Sequence, residues 1–292
     1  MKRNFGIGSE WLYYKIYTGV KIADTILSEH LYPVIQQLMA DETIEQWFFI
    51  RYNDPDNHLR LRFYSPNPQN LLQVIAVLHP VFDALLQNDS IWKLQTDVYQ
   101  REIERYGEAT MTQSEAIFCQ DSEMMLHYMA HKPYFEKEEE QLLFSCAAID
   151  SFLAAFHQTL NEKFLLLQDL QEAFKEEHNA DKTLKKELDK HYRELAQEID
   201  SALSEQENNT TGIYNSIIAK QNKLAPLVSE IREKIQIPLA DFLSSHIHMI
   251  VNRQYTSKQR KYECIIYDHL YRHYKKAMGQ SAYREASIAE MG

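Results

Sequence analysis

Residues 46–64 read QWFFIRYNDPDNHLRLRFY, the pattern of two strands around a turn. Asn53, Asp54, Pro55, Asp56 and Asn57 crowd turn-forming residues together between them. Successive side chains of a strand alternate between its faces. Along the second strand Leu59, Leu61 and Phe63 therefore share one face, and His58, Arg60, Arg62 and Tyr64 share the other. Arg60 and Arg62 stand about 6–7 Å apart on that face. A solvated strand face normally mixes charges of both signs. Two arginines beside a histidine, with no acidic residue among them, suit instead a receptor for carboxylate or phosphate, which guanidinium forks bind bidentately.

Working outward, residues 11–17 (WLYYKIY) read as an aromatic strand. Residues 24–40 read as a helix with Leu27, Leu31, Val34 and Leu38 at helical spacing. Residues 69–87 read as a second helix, striped by Leu71, Ile75, Leu78, Phe82 and Leu85, and residues 91–99 as a further strand. The order β-α-β-β-α-β is the ferredoxin-like one, in which both helices cover one sheet face. Leu59, Leu61 and Phe63 then lie under the helices, and the arginines lie on the open face.

From about residue 112 onward the chain reads as helix: 113–130, 138–157, 161–177, 181–206, further helices from 213, then 238–253 and 257–278. Residues 208–212 (NNTTG) read as a loop. The Lys/Glu-rich 181–206 reads as a solvated helix laced with i,i+4 ion pairs. The expected fold is α+β: a ferredoxin-like antiparallel sheet unit over residues 1–110, followed by a mostly α-helical unit over 111–292 packed on its open face.

Composition narrows the functional classes. The chain has 292 residues, 45% of them hydrophobic, enough for a large core. A net charge of −11 disfavours nucleic-acid binding as the main activity. Cys119, Cys146 and Cys264 are odd in number and scattered, which suits a reducing cytoplasm. The start MKRNFGIGSE has no secretory h-region, and no apolar run approaches membrane-spanning length, so no membrane insertion is expected.

Two further stretches carry chemistry. Residues 99–107 (YQREIERYG) offer Glu102, Arg105 and Tyr106 ahead of a glycine; the plainer reading of Glu102 and Arg105 is an i,i+3 surface pair. Residues 244–253 (SSHIHMIVNR) read as helix, with His248 and Asn252 on one face and His246 roughly opposite. Two histidines so arranged do not chelate one metal, and no zinc pattern accompanies them. A lone histidine on such a helix is commonly a satisfied core residue.

Taken in order, WLYYKIY, WFFIRYNDPDNHLRLRF, YQREIERYG, FCQDS and HIHMIVNR resemble the C-terminal domain of lantibiotic dehydratases, over roughly residues 11–267. The same domain type also stands alone in thiopeptide-type bacteriocin biosynthesis. In the full-length enzymes an N-terminal domain esterifies peptide Ser or Thr with glutamate from glutamyl-tRNA. The C-terminal domain then eliminates glutamate, leaving dehydroalanine or dehydrobutyrine. The resemblance implies a stand-alone eliminase acting on a glutamylated ribosomal precursor peptide, with a separate glutamylating protein and no direct nucleic-acid contact. A cytoplasmic setting is expected, and a homodimer is allowed for.

By that resemblance Arg60, Arg62, Arg105 and His248 match the family's eliminase residues; helical spacing, which puts Asn252 one turn on from His248, makes Asn252 the residue expected to hold the imidazole. His58, Arg51, Glu102, Tyr106, Asn252 and Arg253 are the expected substrate-binding residues. No metal and no cofactor is implied. The family often has a second glycine where Glu108 follows Gly107 here, and residues 174–206 read as an elaboration of this lineage. The rivals are a formal (4+2) cycloaddition that builds a pyridine from two dehydroalanines, and a noncatalytic peptide-binding scaffold.

Overall fold

The computed structural model describes residues 1–177, 181–204 and 212–289. Its strands are β1 Asn4–Phe5, β2 Trp11–Thr18, β3 Gln46–Tyr52, β4 His58–Tyr64, β5 Ile91–Thr96 and β6 Tyr99–Gln100. Helices α1 Ala23–Thr25 and α2 Tyr32–Ala40 are joined by a π-helical stretch, Ile26–Leu31. Then come α3 Asn70–Gln87, α4 Ile103–Tyr106, α5 Met111–His131, α6 Glu139–Ala155, α7 Leu160–Glu177, α8 Lys182–Ser204, α9 Gly212–Lys234, α10 Leu239–Gln254 and α11 Gln259–Ala289.

The sheet order is β3-β4-β2-β5, antiparallel throughout. It is the ferredoxin-like order expected from residues 46–64 and their neighbours. Leu59, Leu61 and Phe63 are at most 1% exposed. On their side of the sheet Tyr14 packs on Phe82 of α3, and Trp47 packs on Tyr32 of α2. On the other side α5 brings Phe118 to within 5.3 Å of Phe48. The mostly helical part of the chain thus closes the face that carries the arginines.

Strand β3 ends the sheet, and the groups of an edge strand need partners. Here α5 and α10 supply them. Phe49 N–H donates to Ser122 Oγ at 3.2 Å, and Arg51 N–H donates to Asn252 Oδ1 at 2.9 Å. Helix α5 is buried on most of its circumference, polar residues included. Glu115 takes both forks of Arg101 at 2.6 and 2.7 Å. Asp121 faces Lys220 at 2.5 Å.

Several expectations need correcting. The π-helical stretch takes up an extra residue, so the buried stripe runs Leu27, Leu31, Ile35, Leu38, and Val34 is only partly buried. On α3 the buried residue is Val74, and Ile75 is 37% exposed. The expected strand over 91–99 divides: β5 joins the main sheet, whereas Tyr99 pairs with Phe5 of β1. Residues 182–204 are not solvated all round; Leu188, Leu195 and Ile199 form a buried stripe. By length and composition α3 is also apolar enough to cross a membrane. In this fold it is the amphipathic cover of the sheet, with Leu71, Val74, Leu78, Phe82 and Leu85 buried. The loop expected over 208–212 lies outside the described residues, except for Gly212 at the start of α9.

Candidate active site

Strand register builds the centre of the site. Arg62 stands opposite Tyr13 of β2 and Phe48 of β3, and Arg60 opposite Lys15 and Ile50. Residues directly opposite on paired strands share a face. The Arg62 guanidinium accordingly lies 4.4 Å from the Tyr13 ring and 5.1 Å from Phe48, with Tyr99 of β6 closing the cage at 4.8 Å. Arg62 is only 7% exposed, and its Nε has no protein partner. Burial pushes its pKa below the ordinary value, yet a guanidinium keeps its charge in proteins.

Arg60 lies 3.5 Å above the Tyr52 ring, and its Nε donates to His58 Nε2 at 3.1 Å. His58 Nδ1 in turn bonds Asp56 O at 2.8 Å, while the ring stacks on Tyr17. Burial lowers the pKa of His58, which suits a neutral ring that accepts from Arg60. His58 therefore stands behind Arg60 and does not line the cleft. Among the described residues neither Arg60 nor Arg62 forms an ion pair.

The remaining walls come from outside the sheet. Arg105, within the short helix α4, and Glu102, the residue that precedes it, form an exposed pair at 3.2 Å. Gly107 ends that helix at φ +76°, and a Cβ there would meet Thr110 Oγ1 at 2.7 Å, so the turn excludes any larger residue. Tyr106 is buried against Phe118. From α10, His248 and Met249 reach the same cleft, whose volume is about 240 Å³. Arg60, Arg62, Arg105, His248, Arg51, Glu102, Tyr106 and Asn252 all border it.

Helix periodicity separates the two histidines. His248 is one-third exposed and faces the cleft. His246 is fully buried among Tyr106, Phe118, Phe152 and Phe242, with Nε2 3.2 Å from Ser114 Oγ. Burial holds its pKa well below that of a free histidine. Asn252 does not touch the His248 ring; its amide is spent on the backbone of Arg51 and on Gln259. The residue on His248 is Glu263 of α11, at 2.5 Å. Arg253 lies in the interior, 5.0 Å from the Phe118 ring and 3.5 Å from Asp121. Arg51 borders the cleft with its guanidinium tied to Asp24 and to Arg253 O.

Sequence reasoning missed the Tyr13, Phe48 and Tyr99 cage and missed Glu263. The cage was readable in part, since Phe48 and Tyr13 have the parity of the arginine face. The only trace of Glu263 is a lone acid beside an apolar run. Among the described residues no three His, Cys, Asp or Glu side chains converge to hold a metal. The cleft has the means to hold an anion on two guanidiniums that have no ion-pair partner among the described residues, and to move a proton through the imidazole that lines it too.

A sequence-family model described as lantibiotic biosynthesis dehydratase C-term matches residues 11–274. Nisin biosynthesis protein NisB of Lactococcus lactis subsp. lactis is 33% identical over 118 residues, which are 40% of this chain and 11% of NisB. The chain thus spans only a small part of that relative. The crystal structure of the tRNA-dependent lantibiotic dehydratase MibB from Microbispora sp. 107891 superposes with a TM-score of 0.77 at 16% identity, covering 95% of this chain and 29% of MibB. TbtD, the pyridine synthase from thiomuracin biosynthesis, superposes with a TM-score of 0.59 at 10% identity, covering 91% of this chain and 99% of TbtD. At these identities the two structures speak for a shared fold.

Proposed function

The chain belongs to the lantibiotic biosynthesis dehydratase C-terminal family, and on that premise we propose that it eliminates glutamate from glutamylated Ser or Thr of a ribosomal precursor peptide, leaving dehydroalanine or dehydrobutyrine. One observation carries this reading. Arg60 and Arg62, two cations without an ion-pair partner among the described residues, share a small cleft with Arg105 and His248. Leaving a cation buried without a counter-ion is costly, and a carboxylate-bearing substrate supplies one.

In this reading residues 1–110 bring the arginines and residues 111–292 complete the cleft with His248. The guanidiniums bind the departing glutamate and stabilise negative charge as it develops on the leaving oxygen. His248 handles the Cα proton. Residues Glu102 and Tyr106 shape the approach beside Arg105. A separate protein supplies the glutamyl ester from glutamyl-tRNA, and both work in the cytoplasm.

A second reading is ring formation of the TbtD kind, favoured by the fold shared with that pyridine synthase. It has no need of a carboxylate receptor, which the arginine cleft provides. The test is the mass of a precursor peptide incubated with the glutamylating protein, with and without this chain. Glutamyl adducts that persist without it and become dehydrated residues with it are expected. Unchanged adducts, or loss of two dehydroalanines with release of a leader peptide, overturn elimination.

A further inference from the structure

His248 reaches the cleft with one ring nitrogen already engaged. Its Nδ1 lies 2.5 Å from Glu263 Oε1, fifteen residues on, across the junction of α10 and α11. Glu263 is fully buried, and its other oxygen accepts from Arg260 Nη1 at 2.8 Å. A carboxylate only accepts, so Nδ1 carries the hydrogen and the neutral ring keeps its lone pair on Nε2. Burying a carboxylate is expensive, and a junction of two helices alone would be served as well by an apolar side chain. The flanking Cys264, Ile266 and Tyr267 are of that kind.

We infer that Glu263 is a positioning residue that presents His248 to the cleft as a base, with Nε2 as the accepting atom. The inference rests on the elimination reading. In that step Nε2 takes the Cα proton, and the C–H electron pair becomes the second Cα–Cβ bond. The Cβ–O bond breaks, and its pair leaves on the glutamate carboxylate. Arg60, Arg62 and Arg105 oppose a positive imidazolium in the same cleft. Arg51 does so less, because Asp24 pairs with it. Glu102 on Arg105 and Glu263 on the ring offset them, and Glu263 is the one in contact. The imidazolium then gives its proton to water.

The test uses the full chain labelled with ¹⁵N-histidine, with His248 assigned by its loss in His248→Asn. The parent spectrum is expected to show His248 protonated on Nδ1 and bare on Nε2 when neutral. Glu263→Gln preserves shape but offers an amide that also donates, so this tautomer preference should weaken. Outer partners that orient a histidine through its far nitrogen are worth about 10–100-fold at metal sites. A fall of that order in kcat for glutamyl-adduct loss is expected, with KM little changed and partial recovery in Glu263→Asp. A parent His248 protonated on Nε2, or Glu263→Gln with parental kcat, overturns the inference and leaves elimination standing. A parent inert toward glutamylated peptide overturns the elimination reading and with it the role as base, and the spectrum then decides the tautomer alone.

Discussion

The side chain of Asn252 pairs with the backbone of Arg51 as a neighbouring strand would: Oδ1 accepts from Arg51 N–H and Nδ2 donates to Arg51 O, both at 2.9 Å. This double bond pins α10, and with it His248, to the edge of the arginine sheet. Asn252→Ala leaves a buried N–H and C=O without partners, which costs about 1–3 kcal/mol. Urea unfolding is expected to show that loss. Adduct elimination should fall as well, because His248 loses its fixed distance from Arg60. Unchanged stability would mean that water replaces the amide and that the clasp is incidental.

The arginines are expected to separate activity from stability. Arg60→Ala, Arg62→Ala and Arg105→Ala should each slow glutamyl-adduct loss by about 10²–10³-fold, the usual worth of one preorganised donor at developing charge. Lysine in their place should serve poorly, since it lacks the planar fork. Arg105 is 56% exposed in its pair with Glu102. Such a pair contributes roughly 0–1 kcal/mol, so the melting temperature of Arg105→Ala should stay close to that of the parent. Normal dehydration by Arg60→Ala would sink the carboxylate receptor.

The two histidines of α10 should fail in opposite ways. His248→Ala is expected to cut elimination by about 10²–10⁴-fold, the typical worth of general acid–base help, with circular dichroism unchanged. His246→Ala empties a site walled by four aromatic rings. It should cost about 2–4 kcal/mol of stability, as cavity-forming truncations do, and lower activity only as far as folding is lost. The reverse ranking in an adduct time course would shift the catalytic role to His246.

Buried neutral histidines also set an acid limit. His246 and His269 both have folded-state pKa values lowered by burial, whereas in the unfolded chain they titrate near 6.5. Above that pH both states are neutral and nothing is gained or lost. Below it the unfolded chain binds protons that the folded chain refuses, so stability falls as pH falls, by about 1.4 kcal/mol per pH unit for each such group. Urea midpoints measured from pH 7.5 down to 5 should decline, and His246→Leu should flatten part of the slope. An unchanged slope in that variant would show that His246 takes up its proton without unfolding.

Much of this protein is local and therefore written in the chain. Alternation along residues 58–64 puts Arg60 and Arg62 on one face whatever packs there, since backbone sterics set the period of a strand. The helical period places His248 and His246 on opposite sides of α10 in the same way. The β-α-β-β-α-β order followed from segment lengths and turn residues. Small departures had local causes too: one π-helical stretch moved the buried stripe from Val34 to Ile35.

Other features exist only because distant segments meet. Nothing near Arg62 foretells that Tyr99 will close its cage, because that contact depends on where β6 leaves the sheet to pair with β1. The residue on His248 was expected to be Asn252, one turn away on the same helix. It is Glu263 on the next helix, because the crossing of α10 and α11 brings that carboxylate to Nδ1 while the β3 edge claims the Asn252 amide. Periodicity tells which way a side chain points along its own element. The approach of two elements fixes what it meets, and that approach is set by the packing of the whole core.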